Sequence, residues 1–417
     1  MSFLIKHRSF ISYLSFSVAT SALGFLASLL MMRLMSPDEY GRIALFMSLL
    51  FVVAPMISFA ADNLVAINRA KLGKVEYEQF TRSFVTFSYL MFLVVQLVFF
   101  MLFILGVLHD RLFLLTPIYG LVQVLIGMAS IEYVMDGKSI QFGMVAFSTS
   151  LASLLLTLLF LNSISGVADW RIAALLIANI IFLFFRYRGN TELLWTFSID
   201  KSVFKDVVLF GFPLLLSVAP AWALNESDKI IVAKYVDMAS VGYYAAASAI
   251  GGIMITFNTA MLNAMVPQIY QALGDNPEEM MPIVRRHVKK FMGTSAVFCC
   301  LFALVYGLSA DLILPEKYAA ARQIVFVVIL FSLGRGLYSV LGLVTDYYGL
   351  TRAKLKGIIY GGIVTVGIAT IGVMQFGIIG AAVGVGTGYL VLSLTLWFYL
   401  VKKSQQYCVA RALDNSI

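Results

Sequence analysis

Charge is scarce in this chain: Asp, Glu, Lys and Arg make up 12% of its 417 residues, against about 25% in ordinary soluble domains. That is too little to cover a water-facing surface, so a soluble globular protein is excluded. Cysteines number three, two of them adjacent at Cys299 and Cys300, which excludes both a disulfide framework and a spaced thiolate metal site. The three histidines, His7, His109 and His287, are too scattered to form a ligand cluster. No Gly-x-x-x-x-Gly-Lys-Ser/Thr loop, His-Glu-x-x-His pair or Gly-x-Ser-x-Gly elbow occurs, so nucleotide hydrolysis, zinc proteolysis and serine hydrolysis lack their residues. No cofactor is expected. A large hydrophilic loop, where membrane-bound sugar enzymes place their chemistry, is also missing. Period-two alternation, the mark of a membrane barrel, is absent from runs such as Phe84 to Val107, which are apolar throughout.

What the chain has is apolar length. Hydrophobic residues make up 61% of it, and a helical span takes about 20 of them. The candidate spans cover 10–32, 41–61, 84–107, 112–135, 142–162, 171–189, 207–233, 241–265, 291–310, 322–347, 357–376 and 379–401, which predicts an all-α polytopic membrane protein of about 12 transmembrane helices. The first, behind Lys6-His7-Arg8, is expected to be a retained helix rather than a cleaved signal. Most of the lysines and arginines fall on one side of this topology, in the stretches around Arg69 to Arg82, Arg186 to Lys205, Arg285 to Lys290, Arg352 to Lys356 and Lys402-Lys403. The basic-inside rule then places both termini in the cytoplasm. The formal charge of +8 is therefore largely topological and is no argument for nucleic-acid binding. The Arg285-Arg286-His287-Val288-Lys289-Lys290 run reads as a lipid headgroup anchor.

Sliding the chain on itself so that Arg33 falls on Lys234 also brings Gly41 onto Gly242 and Asp62 onto Asn263. Each junction is a long helix ending in a cation, a short polar stretch, then a glycine opening the next helix. Two repeats of six spans insert the same way up, so the expectation is two six-helix bundles related by a pseudo-twofold along the membrane normal. The expected divisions are 1–189 for the first bundle, 190–206 for a cytoplasmic linker, 207–401 for the second bundle and 402–417 for a cytoplasmic tail.

Ionisable residues inside spans cost about 2.5–3.5 kcal/mol each on insertion scales, so they point to a partner or a wet cavity. The seventh span carries Asn225-Glu226-Ser227-Asp228-Lys229, with Asn225, Asp228 and Lys229 on one helical face. Pro213 and Pro220 favour a bend upstream; the same polar turn also fits a break between two shorter helices. Arg335, Tyr338, Gly342 and Asp346 form one stripe of the tenth span. Arg335 sits too deep to snorkel, which leaves a lumenal or ion-pair role or an interhelical bond; Asp346 lies nearer the interface. Glu132 and Asp136 share a face, where mutual repulsion favours proton uptake, unless both lie at the interface with Lys138 as counter-ion. Asp62 is ambiguous in the same way. Arg33 ends the first span, where it either snorkels or lines the lumen. Gly380, Gly384 and Gly388, with Gly357 and Gly361, read as close helix packing.

The Arg33-Leu34-Met35-Ser36-Pro37-Asp38-Glu39-Tyr40-Gly41 junction, Asn225-Glu226-Ser227-Asp228-Lys229-Ile230-Ile231 and Val241-Gly242-Tyr243-Tyr244, set in twelve spans, resemble the Wzx-type polysaccharide flippases of the multidrug/oligosaccharidyl-lipid/polysaccharide exporter superfamily. The resemblance covers nearly the whole chain. It implies translocation of an undecaprenyl-pyrophosphate-linked oligosaccharide, such as an O-antigen repeat unit, across a bacterial inner membrane by alternating access. It further implies coupling to H+ or Na+, a surrounding of membrane lipid, and room for a complex with a glycan polymerase; nucleic acid is not a partner. On that reading Arg33, Lys229 and Arg335 contact the anion, with Asp228 orienting Lys229 and Asn225 binding sugar hydroxyls. Asp62, Glu132 or Asp136 carries the coupling ion, and Tyr40 and Gly41 shape a gate. The alternatives are a drug/cation antiporter of the same superfamily and a non-transporting scaffold of glycan assembly.

Overall fold

Ser36, Pro37, Asp38 and Glu39 are what a helix start requires: an N-cap hydroxyl, a ring-fixed φ at the first turn, and two acids at the positive end of the dipole. In the computed structural model, which describes residues 2–163, 167–188, 197–276 and 279–414, this tetrapeptide ends α1 (Ser2–Leu34) and opens α2 (Pro37–Ile57). Ser36 Oγ accepts the Glu39 N–H at 3.3 Å. Further along the chain are α3 (Asp62–Lys71), α4 (Lys74–Ile104), α5 (Thr116–Met135), α6 (Ser139–Ser163), α7 (Ala168–Tyr187), α8 (Lys201–Asn225) and α9 (Ser227–Tyr235). The last five helices are α10 (Met238–Asp275), α11 (Met280–Ile313), α12 (Ala321–Tyr347), α13 (Thr351–Phe376) and α14 (Ile378–Asp414). No strand occurs among the described residues.

Eleven of these segments are long and apolar enough to cross a membrane, and Val18–Leu34 of α1 adds a shorter apolar stretch. They match the spans read from the sequence, and the protein is a multi-pass membrane protein. Outward residues of α4 such as Leu93, Leu97 and Ile104 are more than half exposed; a water-soluble protein would cover such a face, and here hydrocarbon does.

The chain divides into two compact units, Met1–Ala219 and Pro220–Ile417. In the first, Phe46, Phe84, Ile57, Met128 and Ile172 are fully buried. The start of α2 is tied to two other elements. The Arg42 guanidinium donates to Asp110 through Nε at 2.5 Å and Nη2 at 2.9 Å, and to Glu39 at 2.9 Å. Glu39 in turn accepts the Ala168 N–H that opens α7. Below Pro55, α2 ends in Phe59 and Ala60, both at positive φ. A Cβ on Gly211 of α8 would overlap the Phe59 carbonyl, so this contact admits only glycine.

In the second unit α13 and α14 form a hairpin turned at Gly377, φ 60°. Side chains at Gly380, Gly384 or Gly388 would overlap Gly372, Ala369 or Thr365, so the small residues do serve close backbone packing. The first turns of α11 bury Met280, Ile283, Val284, His287 and Phe291 and expose Arg285, Arg286, Lys289 and Lys290. The seventh span differs from a single bent helix. It breaks at Glu226 (φ −134°, ψ −11°), and the break lies beyond both prolines, at the polar turn itself.

Candidate functional site

Ending α8 at Asn225 frees backbone and side chains of the Asn225–Lys229 turn to face inward instead of following one helical ladder. They line a cavity of about 230 Å³ in the second unit, with Tyr244 and Ser248 from α10, Arg335 from α12 and Tyr389 from α14. Asn225, Asp228, Lys229 and Arg335, separated in the sequence, are thus brought together.

Within the cavity the acids are engaged. The Lys229 ammonium donates to Glu226 Oε2 at 2.6 Å and stands 3.8 Å from Asp228. The expected partner Asp228 is thus within ion-pairing distance of Lys229, and Glu226 adds the shorter hydrogen bond. Asp228, 3% exposed, accepts the Tyr244 hydroxyl at 2.5 Å and the Lys229 N–H at 2.8 Å. Asn225 accepts the Tyr389 hydroxyl through Oδ1 at 2.5 Å and donates to the Ala221 carbonyl at 2.7 Å. Arg335 is held differently. Its guanidinium lies 5.6 Å from the Tyr389 ring centroid, and among the described residues no carboxylate forms an ion pair with it. The carboxylates' lone pairs are taken up by Lys229 and Tyr244, while the Arg335 donors remain available at the cavity wall. Such a surface suits an anion with hydroxyl-rich neighbours. Glu226, Tyr244 and Tyr389 complete the site beyond the residues chosen from sequence; Glu226 and Tyr244 lay inside the quoted motifs, but Tyr389 carried no local signal.

The remaining candidates, Asp346 apart, lie in the first unit. Arg33 is exposed at the last turn of α1. Tyr40 is buried, its hydroxyl 2.6 Å from Ser28 Oγ, which fastens α2 to α1, and Gly41 is buried beside it. Asp62 opens α3 and accepts the Ser58 hydroxyl at 3.0 Å. Burial pushes its carboxyl up, partly offset by that bond. Glu132 and Asp136 each have their own arginine: Arg186 lies 2.5 Å from Glu132, and Arg69 2.6 Å from Asp136. Burial works to raise the Asp136 pKa, but Lys138 and Arg69 outweigh it and hold the carboxyl below the usual range. Asp346 pairs with Lys354 at 2.8 Å, the interface role.

One buried charge carried no sequence signal. Arg171 of α7 is 8% exposed and donates to the Ser153 carbonyl and Thr157 hydroxyl. No acid pairs with it among the described residues.

Comparison with known proteins places this geometry in a family. A model described as polysaccharide biosynthesis protein matches residues 30–322. A protein of the Lsg locus of Haemophilus influenzae is 23% identical over 141 residues, which are 33% of this chain and 35% of that protein. The match therefore spans about a third of the curated relative's length. Among solved structures, the lipid II flippase MurJ in an inward closed conformation superposes with TM-score 0.73 and 15% identity, over 93% of this chain and 87% of that one. An inward-facing multidrug resistance MATE family transporter of the MOP superfamily gives TM-score 0.68 and 15% identity, over 95% and 98%. At such identity these likenesses show the fold alone, and they bear out the all-α polytopic architecture read from the sequence. The matched model covers well over half of the chain, from the end of α1 into α12, and on that ground the chain belongs to the polysaccharide biosynthesis protein family.

Proposed function

We propose that the protein is a flippase. It carries an undecaprenyl-pyrophosphate-linked oligosaccharide from the cytoplasmic to the outer leaflet of a bacterial inner membrane by alternating access, coupled to H+ or Na+, with both termini cytoplasmic. The observation that carries this reading is Arg335: a cation with no acidic ion-pair partner among the described residues, on the wall of a polar cavity, inside a membrane-spanning bundle of a polysaccharide biosynthesis family. A pyrophosphate would be met by Arg335, with Lys229 adding charge while Glu226 holds it in place. Asn225 and the tyrosines supply donors and acceptors for sugar hydroxyls. Asp62, partly buried with a raised pKa, is the better placed coupling carboxylate outside the spans, since Asp136 is held ionised. Glu132 remains the candidate within them.

The test is deletion of the gene in its host, with lipid-linked oligosaccharide and surface glycan quantified together and wild type, Arg335→Lys and Arg335→Ala as rescues. The expected outcome is loss of surface glycan with accumulation of the lipid-linked unit. Wild type should restore both, Arg335→Lys partly and Arg335→Ala hardly at all. Unchanged glycan in the deletion strain would reject the flippase and turn attention to cation efflux in vesicles.

A further inference from the structure

Helix α11 keeps one face uncovered along its whole length, and that face changes chemistry once. At its start the face carries Arg285, Arg286, Lys289 and Lys290, all exposed, while Ile283, Val284, His287 and Phe291 on the other side are buried. Continued at the helical spacing of three and four, the uncovered face presents Val297, Leu301, Leu304, Leu308 and Leu312, each more than half exposed. A row of exposed leucines on a span meets hydrocarbon. The four cations therefore stand in line with lipid.

Their depth follows from the length of the helix. After Lys290 the next charge on α11 is Asp311, which is largely exposed and pairs with Arg322 at 2.7 Å. The rise between the two is about 32 Å at about 1.5 Å per residue, against a hydrocarbon core of about 30 Å. Lys290 and Asp311 thus mark the two edges of the core. Lys289 and Lys290 lie at the level of the lipid phosphates, and Arg285 and Arg286 lie one turn further out. Arg285 stands 6.0 Å from the ring centroid of Trp397 on α14, an aromatic of the kind enriched at this depth.

A basic excess on one side of the membrane does not require this arrangement. Other cations near helix ends have an acid: Arg69 and Lys138 share Asp136, Arg186 has Glu132 and Lys354 has Asp346. None of the four cations on α11 forms an ion pair among the described residues. The acids nearest in sequence are Glu278 and Glu279, and Glu279, at the N-cap of α11, precedes Arg286 by about 10 Å of axial rise. Arg285 with Lys289, and Arg286 with Lys290, are like charges one turn apart, which weakens a helix. An anion from outside the chain offsets that repulsion.

We propose that the outer face of α11 binds an anionic phospholipid of the bilayer. Its phosphate is held among Arg286, Lys289 and Lys290, and an acyl chain lies along Val297 and Leu301. Half the hydrocarbon core, about 15 Å, corresponds to about ten residues of helix, the distance from Lys290 to Leu301. The site lies outside the Arg335 cavity and does not depend on the transport reading.

The experiment titrates the full chain, purified in neutral detergent, with phosphatidylglycerol or phosphatidylcholine and reads the affinity of the first bound lipid by native mass spectrometry. Wild type should prefer phosphatidylglycerol at least tenfold. Arg286→Gln with Lys290→Gln should bring the two lipids within about threefold of each other, because each cation beside an anionic lipid contributes about fivefold. Lys201→Gln with Lys205→Gln removes the same charge from exposed positions on α8 and should leave the preference unchanged. All four side chains are exposed, so both double variants should unfold at the wild-type temperature in phosphatidylcholine nanodiscs. Equal affinity of wild type for the two lipids, a preference kept in the α11 variant, or an equal fall in the Lys201 and Lys205 variant overturns the proposal.

Discussion

Lys229 follows Asp228 in the chain, yet its ammonium bonds Glu226, three residues back. Neighbours one apart in a helix point to different sides, whereas residues three apart meet, so the preference for Glu226 follows from spacing even across a break. The consequence is energetic. Glu226→Gln leaves a side chain only 15% exposed with its nearest acid at 3.8 Å and already engaged by Tyr244. We expect a loss of about 1–3 kcal/mol in thermal unfolding in nanodiscs. In a double-mutant cycle with Lys229→Met the two single losses should be less than additive, because the bond between Glu226 and Lys229 is removed only once. If the two single losses simply add in the double variant, Glu226 does not hold Lys229.

Among the elements, the spans were legible because apolar length is a local property: a run such as Phe84 to Val107 needs no knowledge of its neighbours. The break at Glu226 was legible only as one of two options, since a polar turn fits a bend or a break equally. The role of the Ser36–Gly41 junction was not legible. It reads as a turn, but its work is done by Glu39 and Arg42 on Ala168 and Asp110, partners far along the chain. This clamp is open to titration. Burial works to raise the Asp110 pKa, but the Arg42 guanidinium and the Leu112 N–H outweigh it and hold it below the usual value. A carboxylate depressed in the folded state stabilises the protein above its unfolded pKa, and that stability is lost as pH falls through the folded value. Asp110→Asn should therefore cost about 1–2 kcal/mol near neutrality, allowing for solvent screening of a side chain one-quarter exposed. The two proteins should converge in unfolding temperature below about pH 4. A constant gap from neutral to acid pH would show that the carboxylate's charge is not what holds the clamp.

At the scale of the whole molecule, Arg171 and Arg335 both lie inside spans with no ion pair among the described residues, and their surroundings separate them. The candidate cavity was half legible: Asn225, Asp228, Lys229 and Arg335 stand out as charge or polarity in apolar runs, but Tyr389 reaches Asn225 from 164 residues away and resembles any span tyrosine. Arg171 escaped because it lies where a span begins, and only the packing of α6 against α7 buries it. Its donors serve the Ser153 carbonyl and Thr157 hydroxyl. Thr157 also donates to Ser153, so removing the guanidinium orphans no acceptor. Replacing a buried charge by an apolar side chain of similar volume is often neutral or stabilising. Arg171→Met should thus leave unfolding within about 1 kcal/mol of wild type or raise it, with glycan export kept in proportion to folded protein. Arg335→Met, on an open cavity wall, should be equally well folded and yet fail to export. If Arg171→Met folds normally but abolishes export, the first unit carries a cation as necessary to transport as that of the second, and the assignment of the cargo's anion to the Arg335 cavity alone must be abandoned.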